Sequence, residues 1–267
     1  MKLILAIGYM LLVFTGCKEN KHDKFENKPD PQKVAIVEDL KTRLAQNPDS
    51  AGLRMQLINA LDSLGSYKEA IAQTDSMIVR DSLNNGLWFA KAQLLESNKD
   101  TVAAIQSYRR AIAIYPSVEA QLSLANLYAE TKNPTALSIV QSISRISTGR
   151  EMDASCDFIA AVYNARISQH QQALMLFDRC INNDYQYMEA YMEKGFIYYE
   201  TKKYSEALKI FQQAITVNNM YADAYYWQAK TFEALGNKEE ALINYQRSLG
   251  LDKTLKEARA AIKRLSS

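Results

Sequence analysis

Cysteine and histidine are the residues of this chain best suited to covalent or metal chemistry, and both are scarce. The sequence has three cysteines and two histidines in 267 residues. Neither His22 nor His170 is followed by a second ligand at the spacing of a metal site, and no glycine-rich phosphate loop or nucleophile elbow occurs. The sequence therefore predicts no metal, no cofactor and no catalytic residue, and we expect the chain not to be an enzyme.

Cys17 follows a segment with the composition of a secretory signal peptide. Lys2 precedes an apolar run, residues 3–14, and two small residues come before the cysteine. About a dozen apolar residues are fewer than the roughly 20 that span a bilayer, which favours a signal peptide. A cysteine at this place resembles the bacterial lipobox, in which the cysteine is acylated. We predict a lipoprotein signal peptide at residues 1–16 and lipidation of Cys17. The alternatives are plain secretion or an N-terminal anchor with an incidental cysteine.

Residues 17–31 are too polar to form a core. Lys, Glu, Asn, Asp and Pro dominate the segment, and Phe25 is its one aromatic residue. This composition predicts a disordered tether with a root-mean-square reach of about 20 Å. Several acyl chains on Cys17 would hold the chain at a membrane through the lipid anchor alone. We expect the bacterial cell envelope, at the outer membrane or its periplasmic face, as the location.

The rest of the chain repeats one pattern at intervals close to the 34 residues that separate Ala51 from Asn85. Small residues recur at the eighth position of the repeats, as Ala92, Ala125, Ala161, Gly195 and Ala229, and at the twentieth, as Ala70, Ala104, Ala173, Ala207 and Ala241. Two helices approach closely only where side chains are short, so these positions predict the crossing point of a helical hairpin. Gly65 and Gly236 stand between the two helices, as turn residues.

This pattern resembles the tetratricopeptide repeat, and the second repeat matches its signature at Trp88, Ala92, Leu95, Ala104, Tyr108, Ala111 and Pro116. The resemblance implies an all-α solenoid of helix-turn-helix hairpins in a right-handed superhelix. The expected repeats are residues 51–84, 85–117, 118–153, 154–187, 188–221 and 222–255. The third has a shortened turn, and we expect an irregular connection from Ser144 to Asp153 after it.

A stack of amphipathic hairpins needs a capping helix at each end. The N-terminal cap is expected within residues 32–50, with Val34, Val37, Leu40 and Leu44 facing inward. The C-terminal cap is expected at residues 256–267, with Ala258, Ile262 and Leu265 facing inward.

Cys156 and Cys180 fall at the third and twenty-seventh positions of the fourth repeat. These positions lie on facing helices near the open end of the hairpin, so a disulfide is conceivable in an oxidising compartment. The alternative is that both are ordinary small buried residues.

The resemblance also implies a concave surface lined by the first helix of each hairpin, at positions 2, 5, 6, 9, 12 and 13. The bases at these positions are Arg166 and Lys230, and the acids are Asp62, Glu96, Glu119, Glu130, Glu189, Glu193, Glu200, Asp223 and Glu233. The whole chain has 32 basic and 30 acidic residues, a balance that argues against a nucleic-acid partner. An acidic concave surface favours a basic ligand. The alternative is that exposed helix faces are glutamate-rich for solubility.

Large apolar side chains occupy the same positions, and such groups on an uncovered surface mark binding sites. We expect a partner segment across the fourth to sixth repeats, with Phe196 and Trp227 as anchors. The predicted groove comprises Phe89, Phe158, Glu189, Met192, Glu193, Phe196, Tyr199, Glu200, Asp223, Tyr226, Trp227 and Lys230.

The groove lacks the lysine and asparagine pair with which chaperone-binding members of the family hold a peptide carboxylate. Asn59 and Asn126 occupy the ninth position, but the fifth positions of the same repeats are Met55 and Leu122. The sequence thus predicts a lipid-anchored cell-envelope scaffold that binds a basic and apolar envelope protein or peptide during assembly of an envelope complex. The alternative is a regulator or adaptor subunit of a cell-wall enzyme. The sequence leaves the oligomeric state open.

Overall fold

The computed structural model describes residues 30–146 and 149–266. The described residues form fourteen helices and no strand, which confirms the all-α fold class. Cys17, the signal peptide and nearly all of the tether lie outside the described residues. Contacts divide the chain into two compact units, residues 1–121 and 122–267. No helix of the described residues is both long enough and apolar enough to cross a bilayer.

The described residues of the first unit form five complete helices, each packed against the next in the chain. They are α1 (Pro31–Gln46), α2 (Ala51–Ser63), α3 (Tyr67–Arg80), α4 (Asn85–Ser97) and α5 (Thr101–Ile114). Three of the four predicted inward residues of the N-terminal cap, Val37, Leu40 and Leu44, are buried in one cluster with Leu57 of α2 and Ala70 of α3, whereas Val34 is only partly buried. The boundary between the units lies within α6 (Val118–Glu130).

The second unit continues the same pattern of neighbouring helices. Its helices are α7 (Thr135–Ile146), α8 (Arg150–Arg166), α9 (His170–Asn183), α10 (Met188–Glu200), α11 (Tyr204–Val217), α12 (Ala222–Ala234), α13 (Lys238–Leu251) and α14 (Lys256–Ser266). Helix α14 packs on α13, and its Ala258 and Ala261 are buried against Tyr245.

The joint after the third repeat is shorter than the sequence suggested. We predicted a connection from Ser144 to Asp153, but α7 continues to Ile146 and α8 begins at Arg150. Gly149 has a φ of 140°, a backbone conformation that glycine adopts without steric cost, and α8 starts directly after it. Residues 144–146 of the predicted connection therefore end α7, and residues 150–153 form the first turn of α8.

Each hairpin turns through one residue in the left-handed backbone region. These residues have φ between 59° and 82° and are Gly65, Lys99, Lys132, Ser168, Lys202 and Gly236. The residue after each one donates its backbone N–H to the carbonyl five residues earlier, at 2.7–2.9 Å. This hydrogen bond satisfies a carbonyl at the end of the first helix, which is how a left-handed residue terminates a helix.

The small residues lie where the helices of a hairpin cross. Ala92, Ala104, Ala161 and Ala173 have no exposed surface. Gly195 makes the closest approach, because an added Cβ would lie 2.6 Å from Cζ of Phe211 and closer still to Cε1.

We expect Gly195→Ala to lower the free energy of unfolding by about 1–3 kcal/mol, since overpacking a tight core forces side chains or backbone to shift. Urea denaturation followed by circular dichroism measures the loss. Gly250→Ala is the matched control, because a Cβ at Gly250 in α13 meets no atom within 4 Å. Alanine there should raise stability by about 0.5–1 kcal/mol. Equal stability of the two variants would contradict the close crossing of α10 and α11.

Candidate functional site

Aromatic side chains from three successive helices meet around Trp227. The ring centroid of Trp227 lies 4.6 Å from that of Phe196, 5.4 Å from Tyr199, 5.9 Å from Tyr226 and 6.4 Å from Phe211. We name these five residues, on α10, α11 and α12, the aromatic cluster. The cluster joins the fifth and sixth repeats, so its main role is to pack these two repeats together.

The predicted groove is wrong in its most apolar members. Trp227 is only 8% exposed, and Phe158 and Met192 are only 4% and 1% exposed. First helices of neighbouring repeats lie close enough for their large side chains to cover one another. Trp227 of α12 packs on Phe196 of α10, and Phe158 of α8 packs on Tyr187, just before α10, with centroids 4.9 Å apart.

Other predicted groove residues keep part of their surface. Phe196, Tyr199 and Tyr226 are half-buried, and so is Phe89, which packs against the edge of Tyr108 in the first unit. These partly exposed rings are the apolar surface that α10 and α12 still present.

Glu193 is not exposed to solvent, and its carboxylate belongs to a network of charged side chains. Its side chain is 7% exposed, and its carboxylate accepts hydrogen bonds from Arg166 at 2.9 and 3.0 Å. The same guanidinium donates to Glu130 at 2.7 and 3.0 Å. The two carboxylates raise the pKa of Arg166 against the opposing effect of burial. Two acids of the predicted concave surface therefore share one of its two bases, and this network links α6, α8 and α10.

A tyrosine to glutamate hydrogen bond, which the sequence reasoning missed, occurs in two repeats. Tyr245 donates to Glu233 at 2.9 Å, and Tyr108 donates to Glu96. The signal was present, because each pair occupies positions twenty-four and twelve of its repeat. The environments differ: desolvation raises the pKa of Glu96, whereas the Arg264 guanidinium at 2.6 Å lowers the pKa of Glu233.

Three acids of the predicted groove remain without an ion pair in the part of the chain that the structure describes. They are Glu189, Glu200 and Asp223, on α10 and α12. Glu189 and Asp223 occupy the second position of successive repeats, and both lie near Tyr221, whose pKa is raised by burial and further by these two charges. The unpaired acids of the predicted groove therefore all lie on α10 and α12.

Lys230 lies over three rings of the aromatic cluster. Its Nζ is 4.1 Å from the ring centroid of Trp227, 5.6 Å from that of Tyr199 and 5.8 Å from that of Tyr226. All three distances are within the range of cation–π attraction. Desolvation lowers the pKa of the ammonium group, and the nearby Glu233 opposes that shift.

Cys156 and Cys180 are both buried, and both are free thiols. The conceivable disulfide is therefore absent from the structure, and the alternative of small buried residues describes both positions. Burial raises the pKa of each thiol, so neither is activated as a nucleophile. No group of three histidine, cysteine or acidic side chains that could hold a metal occurs within residues 30–146 and 149–266.

Asp157→Asn is expected to raise the free energy of unfolding at neutral pH, because the amide carries no charge for burial to desolvate. Arg179 lies 2.9 Å from Oδ1 of Asp157, but Oδ2 is buried with no hydrogen-bond partner among the described residues. Burial raises the pKa of this carboxyl. A carboxyl with a higher pKa in the folded state weakens folding above that pKa, and this penalty disappears as the pH falls through it. The neutral amide avoids the penalty.

Denaturant titrations of wild type and Asp157→Asn between pH 3 and 7.5 measure this effect, because the change begins at the ordinary pKa of an aspartate, 3.8. The advantage of the variant should shrink as the pH falls, because the wild-type carboxyl takes up its proton. A difference that stays constant over this range would contradict the perturbed pKa.

Three stretches of the chain match tetratricopeptide family models. Residues 57–119 and 222–255 match models described as tetratricopeptide repeat, and residues 195–236 match a model described as TPR repeat. No curated protein matches the sequence.

Solved structures share the fold at low sequence identity. A tetratricopeptide repeat protein from Parabacteroides merdae has a TM-score of 0.71 at 18% identity, covering 88% of this chain and 93% of that one. Yeast Tom70 has a TM-score of 0.58 at 15% identity, covering 88% of this chain and 58% of that one. A thermophilic TPR protein in Thermus thermophilus has a TM-score of 0.56 at 16% identity, covering 68% of this chain and 98% of that one.

These likenesses concern the fold alone. The helical hairpins with their small crossing residues, the three matching stretches and the shared fold show that this chain is a tetratricopeptide repeat protein.

Proposed function

We propose that this chain is a lipid-anchored scaffold of the bacterial cell envelope that binds a basic protein partner on an acidic face of α10 and α12. The tetratricopeptide fold implies a scaffold for protein–protein interaction. The acidic face consists of Glu189, Glu200 and Asp223 with the half-buried rings of Phe196, Tyr199 and Tyr226. Its members occupy positions 2, 5, 9, 12 and 13 of the repeats, which recur on one side of a helix.

The observation that carries the proposal is the excess of acids on this face, where three carboxylates stand against the one ammonium of Lys230, which lies over Tyr199 and Tyr226. Arg166 pairs with Glu130 and Glu193, and Arg264 pairs with Glu233, whereas the three acids of the face form no ion pair within the described residues. Unpaired acids beside partly exposed rings favour a partner that carries lysine or arginine next to apolar groups. Charge would select that partner and speed its approach, and apolar burial would supply affinity.

Site-specific photocrosslinking in intact cells tests the acidic face. A photoreactive residue at the exposed Glu200 should capture a discrete partner, whereas one at the exposed Gln213 on α11 should not. Mass spectrometry of the adduct then identifies the partner. A secretin or outer-membrane barrel would support a role in assembly, and a hydrolase would support the regulator of a cell-wall enzyme. Equal capture at both positions would contradict the proposed face.

Charge reversal supplies a second test of the same face. Glu189→Lys with Asp223→Lys should abolish capture at position 200, since it reverses the charge that selects the partner. Glu206→Lys on α11 is the matched control, because Glu206 is exposed and lies outside the face. Undiminished capture in the double variant would contradict charge selection.

The lipid anchor is tested separately. The wild-type chain should fractionate with membranes and carry acyl chains at Cys17 by mass spectrometry, because several acyl chains give stable attachment. Cys17→Ser should lose both properties. Membrane association that persists in Cys17→Ser without any lipid would contradict the anchor.

A further inference from the structure

We propose that the ring faces of Tyr199, Tyr226 and Trp227 form a binding site for an alkylammonium group, which Lys230 fills in the free protein and a lysine side chain of the partner fills in the complex. The inference rests on the proposed function for the source of the ligand. The site itself follows from the geometry of Lys230 and its neighbours.

The first step is that three rings converge on one ammonium. The distances from Lys230 Nζ to the three ring centroids, 4.1, 5.6 and 5.8 Å, all fall inside the roughly 6 Å limit of cation–π attraction. Each ring face attracts an ammonium group through its quadrupole, and this attraction is strongest where the site excludes water. The three rings therefore form a site of defined chemistry, whichever chain supplies the cation.

The second step is that the rings are held in place by contacts other than those with Lys230. Trp227 packs on Phe196 and Phe211. The ring centroid of Tyr226 lies 5.7 Å from that of Tyr245, and the ring centroid of Tyr199 lies 5.5 Å from that of Tyr204. Because these contacts come from α10, α11 and α13, the walls should persist when Lys230 moves out. A site with preformed walls costs less to occupy.

The third step is that few polar interactions hold the Lys230 ammonium in its position. Within the described residues its Nζ forms no hydrogen bond and no ion pair, and the nearby Glu233 is engaged by Arg264 and Tyr245. Desolvation lowers its pKa, so its ammonium would be better solvated outside the site. Its side chain is long, flexible and only partly buried, so it can leave without disturbing the helix.

The other lysine that lies over a tryptophan shows the contrast. Lys91 Nζ is 5.4 Å from the Trp88 ring centroid, but it faces a single ring and forms an ion pair with Asp75 at 2.6 Å. An external cation would have to break that ion pair and would gain only one ring. Lys91 therefore has a structural role in its ion pair with Asp75, whereas Lys230 occupies a site that an external ammonium group could occupy.

The test uses the full chain with Trp88→Phe, so that Trp227 is its only tryptophan, and butylammonium as the probe. Lys230→Ala should open the site, and the change in Trp227 fluorescence should saturate at an approximately tenfold lower probe concentration than with Lys230 present. Butanol, which lacks the charge, should not reproduce the change. Lys91→Ala is the matched control and should behave as the parent.

No gain in Lys230→Ala, or equal binding of butanol, would overturn the site. A second measurement needs no variant at Lys230: ring currents should shift the ε-methylene resonances of Lys230 upfield in the wild-type chain, and butylammonium should move them back. Resonances at their ordinary position would also overturn it. Probe binding without partner capture at Glu200 would leave the site standing and count against the proposed function alone.

Discussion

Arg166→Met is expected to lower the free energy of unfolding by about 3–5 kcal/mol, the cost of breaking a buried ion pair from one side. The Glu193 side chain is 7% exposed and receives two hydrogen bonds from this guanidinium. Without Arg166 its carboxylate would be buried with no compensating cation. Glu130 would suffer less, since its side chain is 40% exposed and can return to water. Urea denaturation at pH 7 measures the loss.

Two control variants separate this effect from ordinary surface electrostatics. Arg166→Met with Glu193→Leu should recover most of the stability, because replacing both members of a buried pair by apolar residues is often neutral. Lys41→Met removes a cation that pairs with Glu38 and Glu69 at the protein surface. Exposed ion pairs contribute about 0–1 kcal/mol to the free energy of unfolding. A loss in Arg166→Met no greater than that in Lys41→Met would contradict the role of the network.

The sequence predicted the helices well because their packing restricts residue types. Only a small residue fits where two helices cross, and Gly195 against Phe211 shows how little room remains. The hairpin turns were less predictable. Gly65 and Gly236 indicated turns, but Lys99, Lys132, Ser168 and Lys202 adopt the same left-handed conformation without that signal. A single left-handed residue carries a modest penalty that other interactions can offset, so glycine is favoured there but not required.

The sequence predicted which helix faces carry the candidate site, but it did not predict how much of each side chain is exposed to solvent. Position in the repeat gives the direction in which a side chain leaves its helix, and the predicted groove residues on α10 and α12 do share a side. It does not give the distance to the next helix. Trp227 and Met192 are therefore buried at positions that were expected to be open. Arg166 and Glu130 both occupy position thirteen, so their pairing was readable from the repeat alignment, whereas the burial of Glu193 beside them was not.

Phe211→Ala is expected to lower the free energy of unfolding by about 3–5 kcal/mol, the usual cost of removing a buried aromatic ring. Phe211 has no exposed surface, and its ring lies 6.2 Å from that of Phe196 and 6.4 Å from that of Trp227. It also occupies the space that Gly195 leaves open. Loss of the ring would leave a cavity within the aromatic cluster, so Trp227 fluorescence in a Trp88→Phe background should shift to longer wavelength as stability falls.

A double-mutant cycle between Gly195 and Phe211 tests whether position 195 must lack a Cβ because the Phe211 ring lies against it. Alanine at Gly195 is costly because its Cβ meets the Phe211 ring. In a Phe211→Leu background that obstacle is smaller, so Gly195→Ala should cost at least about 0.5 kcal/mol less than it does in the wild type, beyond the usual error of additivity. Gly250→Ala, whose Cβ would meet no atom within 4 Å, should have the same effect in both backgrounds. Strict additivity of Gly195→Ala and Phe211→Leu would mean that position eight is small for some reason other than the crossing of α10 and α11.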